Sequence, residues 1–223
     1  MSTRFTPRER QLIARLRTPR QVQTYLNDLP YNHERGGGTL RSFRGVVRHG
    51  SAHCLEAALF AAVVLEQHGF PPLVISFESI DKLDHVIFVY QVRGLWGSIA
   101  RSRDPGLHGR LPVFRSARAL AASYMDTYVD FTGRVTGFAV VNIAEEMGDY
   151  DWRFSIKNVW KVEQMLIDYP HRSLRMSNGR YKRLLSRYKA FRAANDDRKP
   201  VQYYAGREKW MPLPRDSSWE RAL

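Results

Sequence analysis

The sequence predicts an α+β protein in which a central helix packs on an antiparallel sheet, with short helices before it and a helical extension after it. The run Ser51–His68 is loaded with Ala and Leu and carries the clearest helical pattern in the chain. Directly behind it, three short runs crowd β-branched and aromatic residues between turn formers, as strands do. With 223 residues, 43% hydrophobic and 26% charged, the chain can bury one substantial core.

Two short helices are predicted first, at about residues 7–17 and 19–27. Pro7 and Pro19 suit a first helical turn, and Leu12, Ile13 and Leu16 share one face. The stretch Pro30–Gly38, with Gly36, Gly37 and Gly38, is flexible punctuation; Thr39 then suits the cap of a brief helix reaching about Arg48 and stopped by Gly50. For the central helix Ser51 is a good N-cap, and Gly69 followed by Pro71 and Pro72 stops it. Strands follow at Leu73–Phe77, His85–Val92 and Leu95–Ala100, the last two joined by Arg93-Gly94 as a hairpin. Beyond them, 116–127 reads as helix, 135–143 as strand, 155–168 as a helix ending before Pro170, and 178–194 as helix. From Asp196 the tail is polar and Pro-punctuated. A division near residue 145 separates the core with its N-terminal helices (1–145) from a basic helical extension and tail (146–223).

The charged N-terminus lacks the apolar run of a secretory signal, and no segment offers the roughly 20 apolar residues of a membrane span, so a soluble cytoplasmic protein is expected. A single cysteine excludes an internal disulfide and leaves a buried thiol, a metal ligand or a nucleophile. Metal binding has little support: His49 and His53 are separated by a glycine and a helix start, and no CxxC or HExxH accompanies them. The glycine run lacks the Lys-Ser/Thr of a phosphate loop. No cofactor is therefore expected.

With Ser51 as the cap, Cys54 falls at the third helical position, where unpaired N–H groups and the helix dipole favour a thiolate. Ala58, Ala61 and Leu65 continue its face toward a sheet. His85 opens the second strand, from which its imidazole can project toward that helix end. In such a pair the imidazole takes the thiol proton and later protonates the leaving group of an acyl intermediate. Taken singly, a small Cys in an Ala-rich helix and a lone strand His are both ordinary packing residues; their combination is what points to chemistry.

The stretch Gly50-Ser-Ala-His-Cys54 through Gly69-Phe-Pro-Pro-Leu-Val74, then Asp84-His85-Val86 and Gly94-Leu-Trp96, resembles the transglutaminase-like superfamily. Roughly residues 40–105 carry the likeness. It implies a papain-like Cys-His core, hence a cysteine peptidase or amidase or an acyltransferase acting on a peptide or protein amide. Cys54 and His85 would be catalytic, and an Asp or Asn on the following strand would orient the imidazole. This chain departs there: Ala100 holds the expected register, which leaves Asp104 or Ser98 as the orienting group, or a scaffold that has lost activity.

His53, beside Cys54, and Trp96 are expected near a substrate channel, and Glu56 is expected to compensate the helix dipole. Net charge is +13, and Arg172, Arg175, Arg180, Lys182, Arg183, Arg187, Lys189 and Arg192 are interleaved with Tyr181, Tyr188 and Phe191 without an acidic residue between His171 and Asn195. The ordinary reading is a solvated basic helix. The functional one is a surface for nucleic acid or an acidic protein, on which aromatics would stack bases.

Overall fold

Pro7 and Pro19 each occupy a first helical turn: α1 spans Pro7–Arg15 and α2 Pro19–Asp28 in the computed structural model, which describes residues 4–79 and 82–197. Thr6 with Glu9, and Thr18 with Gln21, close the two N-termini as capping boxes. α3 (Phe43–His49) begins later than Thr39, because Ser42 is its cap and the Thr39 side chain is engaged elsewhere; Gly50, at φ 65°, ends it.

The central helix α4 is Cys54–Glu66, and Ser51 does not cap it. The Ser51 hydroxyl accepts from the Arg41 guanidinium at 2.9 Å, and Ala52 forms a parallel bridge with Tyr31. The chain is thus held extended until His53, which becomes the cap, and Cys54 takes the first helical position instead of the third. Leu55–Leu65 are buried on every side of α4, which explains a run without a polar face.

Among the described residues six strands form one antiparallel sheet: β1 (Leu73–Ser79), β2 (Lys82–Val92), β3 (Leu95–Ile99), β4 (Arg110–Phe114), β5 (Gly137–Asn142) and β6 (Arg172–Ser173), in the order β4-β3-β2-β1-β5-β6. The remaining helices are α5 (Ala117–Ala122), α6 (Ile143–Met147), α7 (Trp160–Asp168) and α8 (Asn178–Ala194). α7 starts five residues later than the pattern predicts, because the Leu40 N–H donates to the Asn158 side chain and the Val159 N–H to the Leu40 carbonyl. These bonds tie 158–159 to the chain before α3 in a non-helical path.

Alternation along β1 and β2 assigns two cores. Val74, Val86 and Phe88 pack with α4, and Ile75, Phe77, Ile87 and Val89 pack with Leu120, Ala121 and Tyr124 beneath the other face. Trp152, Val159, Val162 and Leu166 belong to the same cluster as α4, and β6 extends the sheet, so the division expected near residue 145 does not fall at a gap in the packing. Among the described residues, no helix is long and apolar enough to cross a membrane. The polar tail expected from Asp196 lies, beyond Asp197, outside the described residues.

Candidate active site

At the start of α4 the His53 ring does three things. Its Nδ1 accepts from the Leu55 N–H at 3.2 Å, its Nε2 meets the Thr39 carbonyl at 2.9 Å, and it stands within hydrogen-bonding reach of the Cys54 thiol. A carbonyl can only accept, so Nε2 carries hydrogen in either protonation state and Nδ1 is the titrating nitrogen. Neutral, Nδ1 caps the helix; protonated, it gives up that bond.

Glu56, fully buried, underlies this arrangement. Its Oε1 accepts from the Thr39 hydroxyl and the Arg41 N–H, both at 2.9 Å, with the Arg41 guanidinium 3.9 Å away. Its Oε2 accepts from the Asn32 amide at 3.0 Å and the His53 N–H at 3.1 Å. Dipole compensation is thus the smaller part of its role: it fastens the loop 31–41 over the start of α4.

His85 lies on β2 opposite Phe77, on the sheet face of Ile87 and Val89, with its ring 6.2 Å from those of Phe77 and Tyr124. Its Nε2 meets the Leu107 carbonyl at 3.0 Å, again an acceptor only, so Nε2 is the donor and Nδ1 remains for proton transfer. The orienting group is therefore a backbone carbonyl. Asp104 acts on the turn that presents it: its Oδ1 accepts from the Gly106 N–H at 3.0 Å and its carbonyl from the Leu107 N–H at 3.0 Å. Arg110, itself buried, donates to the Gly106 carbonyl at 2.7 Å and the His108 carbonyl at 2.6 Å, bracketing Leu107.

Ser98 does not orient His85. The Tyr124 hydroxyl donates to the His108 carbonyl at 3.0 Å, so Ser98 gives its only proton to Tyr124 at 2.8 Å and accepts from the Arg110 N–H at 3.0 Å. Nor does Trp96 reach the site. It pairs with Gln91, six residues beyond His85 on β2, about 20 Å along the strand.

Cys54, partly exposed, and His85 line a cavity of about 200 Å³ with Tyr31, Ser102, Arg103, Asp104, Leu107, Thr127, Tyr128, Asp130 and Thr132. Burial pushes the thiol up, but the imidazoles of His53 and then His85 outweigh it and bring it down to about 5. Burial pulls His53 down, and the sulfur, with Glu56 and the Thr39 carbonyl behind it, pushes it up to about 9. A thiol so placed between two imidazoles has the chemistry to serve as a nucleophile with a proton donor on hand. His53 does not line the cavity, and its Nε2 is held by the Thr39 carbonyl.

Sequence reasoning did not single out Tyr31, the Leu107 carbonyl or Arg110. A backbone carbonyl has no side-chain signature, and the turn-forming run Asp104-Pro105-Gly106 was the only hint of it. Gly109 fixes the far end of this loop: a Cβ there would lie 2.2 Å from the Gln23 side-chain oxygen and 2.5 Å from the Ser98 carbonyl. Gly109→Ala is expected to cost about 1–3 kcal/mol in urea unfolding and to slow Cys54 chemistry by displacing Leu107. An unchanged unfolding midpoint would show that the loop adjusts freely.

On α8, Arg180, Lys182, Arg183, Arg187 and Lys189 face outward, whereas Tyr188 is buried and Tyr181 lies under the Arg134 guanidinium at 4.8 Å. Tyr188 therefore serves packing, and Tyr181 is half-buried against a hydrophobic cluster. Among the described residues no group of three or more His, Cys, Asp or Glu converges as metal ligands would. No protein-family model matches the chain, and no curated protein is detectably similar to it.

Proposed function

We propose that this protein performs cysteine-dependent acyl chemistry on amides, by hydrolysis or by transfer, from a transglutaminase-like and papain-like core. The supporting observation is the placement of Cys54 at the first position of α4, within reach of two imidazoles, in a polar cavity beside an antiparallel sheet. The order of helix, hairpin strands, Cys and His agrees with the resemblance carried by residues 40–105.

In this reading the Cys54 thiolate attacks the amide carbon and forms a C–S bond. His85, held by Leu107 through Nε2, passes the thiol's proton by way of Nδ1 to the departing nitrogen as the C–N bond breaks. The thioester is then resolved by water or an amine, whose proton returns to His85. Developing oxyanion charge falls at the N-terminus of α4, where backbone N–H groups favour it.

With p-nitroacetanilide as a generic amide donor, whose anilide nitrogen must be protonated to leave, intact-mass analysis is expected to find acetyl on Cys54, formed about 10²–10⁴-fold more slowly in His85→Ala. Native protein that never acquires an acyl group on Cys54 would sink the reading, as would acylation indifferent to His85.

A further inference from the structure

Tyr31 lies on no regular element, yet it is held firmly against the strand-like approach to α4. It bridges Ala52 in parallel, with the Ala52 N–H donating to the Pro30 carbonyl at 3.3 Å and the Asn32 N–H to the Ala52 carbonyl at 3.2 Å. The neighbouring Asn32 amide is fixed to Glu56 and, at 2.7 Å, to Thr39. The Tyr31 ring packs against His33, centroids 5.1 Å apart, with the Arg101 guanidinium 5.8 Å from its centre. This framework sets the Tyr31 hydroxyl beside the Cys54 backbone N–H, in the same cavity as the sulfur and His85.

We propose that Tyr31 is a catalytic residue, donating its phenolic O–H to the carbonyl oxygen of the acyl donor as Cys54 attacks, and so completing an oxyanion pocket with the Cys54 N–H. The inference rests on the acyl chemistry proposed above. Two features of the site support it. The Tyr31 hydroxyl stands beside the Cys54 N–H in the cavity that Cys54 and His85 line, on the side from which an acyl donor would reach the sulfur. Burial, with the Cys54 sulfur behind it, pushes the Tyr31 phenol up to about 12, so near neutral pH it remains a protonated donor.

The bookkeeping of the step is closed. The sulfur lone pair forms the C–S bond, the carbonyl π pair moves onto oxygen, and the Cys54 N–H and Tyr31 O–H share that charge without transferring a proton. The pair returns to carbon as the leaving group departs with the proton from His85. The tyrosine ends the step as it began.

Two reactions of the same sulfur separate this role from a structural one. Acylation by p-nitrophenyl acetate passes through a tetrahedral oxyanion; alkylation by iodoacetamide displaces iodide at a methylene carbon and needs no such pocket. In Tyr31→Phe, which keeps the ring, acylation is expected to fall roughly 10²-fold while the rate and pH profile of alkylation stay unchanged. Equal acylation in Tyr31→Phe and native protein overturns the proposal. So does a parallel loss in both reactions, which would make Tyr31 a support for the thiolate. If native protein is alkylated but never acylated, the acyl chemistry itself fails and the role of Tyr31 goes with it; failure confined to the tyrosine leaves native acylation intact.

Discussion

Alkylation of Cys54 by iodoacetamide is expected to reach half its limiting rate near pH 5 in native protein, and to keep a depressed midpoint in His85→Ala. Only when His53→Gln is added should the midpoint climb to or above the ordinary thiol value of about 8.5. The reason is that two imidazoles, not one, hold the charge, the hydrogen bond from His53 being the largest single lowering cause. His53 is itself backed by Glu56, whose Oε1 lies 3.6 Å from its Nε2, with the carboxylate of Glu163 on α7 acting from further away. The cation on Arg41, the neutral phenol of Tyr31 and, lining the cavity, Arg103, Asp104 and Asp130 also stand around the pair. The first unit by which the midpoint rises lowers the thiolate fraction at pH 5 roughly fivefold and each further unit about tenfold, so His53→Gln alone should slow alkylation at that pH measurably. A midpoint that returns to the ordinary range in His85→Ala alone would reduce His53 to a helix cap.

The same pair makes stability depend on pH, and its signs can be read from the two shifts. The thiol is lowered on folding, so its contribution is lost as pH falls through about 5 and is complete above the unfolded value of about 8.5. The imidazole is raised, so its contribution is complete below about 6.5 and is lost as pH rises through about 9. Between about 6.5 and 8.5 the two slopes cancel. The difference in urea midpoint between native protein and Cys54→Ser should therefore rise from pH 5 to 6.5, stay level to 8.5 and fall beyond it. A difference flat across that whole range would mean that no ion pair forms.

The sequence carried the parts of the site that depend on residue type and periodicity. Cys54 at a helix start, His85 on a strand and the Arg93-Gly94 hairpin all declare themselves through pattern, because burial on one element suffices to specify each. What stayed hidden depends on competition between distant groups. Ser51 is a better cap than His53 by local preference, and loses because Arg41 claims its hydroxyl and Tyr31 holds Ala52 extended. Pro112 disguises β4, which tolerates it as an edge strand. The partner of His85 is a carbonyl, and Trp96, placed near the site by resemblance, belongs to the far end of the hairpin. Trp152 and Leu166, beyond the division expected near residue 145, belong to the same hydrophobic cluster as α4, which composition along the chain does not display.

Glu56→Ala is expected to lower the free energy of unfolding by about 3–5 kcal/mol, among the largest effects of any single polar substitution in this chain. The carboxylate is fully buried, and every group pointed at it is a donor: the Thr39 hydroxyl, the Arg41 and His53 N–H groups, the Asn32 amide and the Arg41 guanidinium. Removing it leaves these donors facing each other without an acceptor, and desolvated donors are costly to leave unpaired. Glu56→Gln should recover little, since its amide –NH₂ would have to point at one of the two donor sets. The substitution also frees the loop 31–41, which carries Tyr31 and the Thr39 carbonyl that anchors His53. Loss of stability should therefore arrive together with a raised Cys54 alkylation midpoint in the protein that remains folded. A cost under about 1 kcal/mol would show that water replaces the carboxylate at little expense. A large cost with an unmoved alkylation midpoint would separate the buried network from the nucleophile it is argued to hold in place.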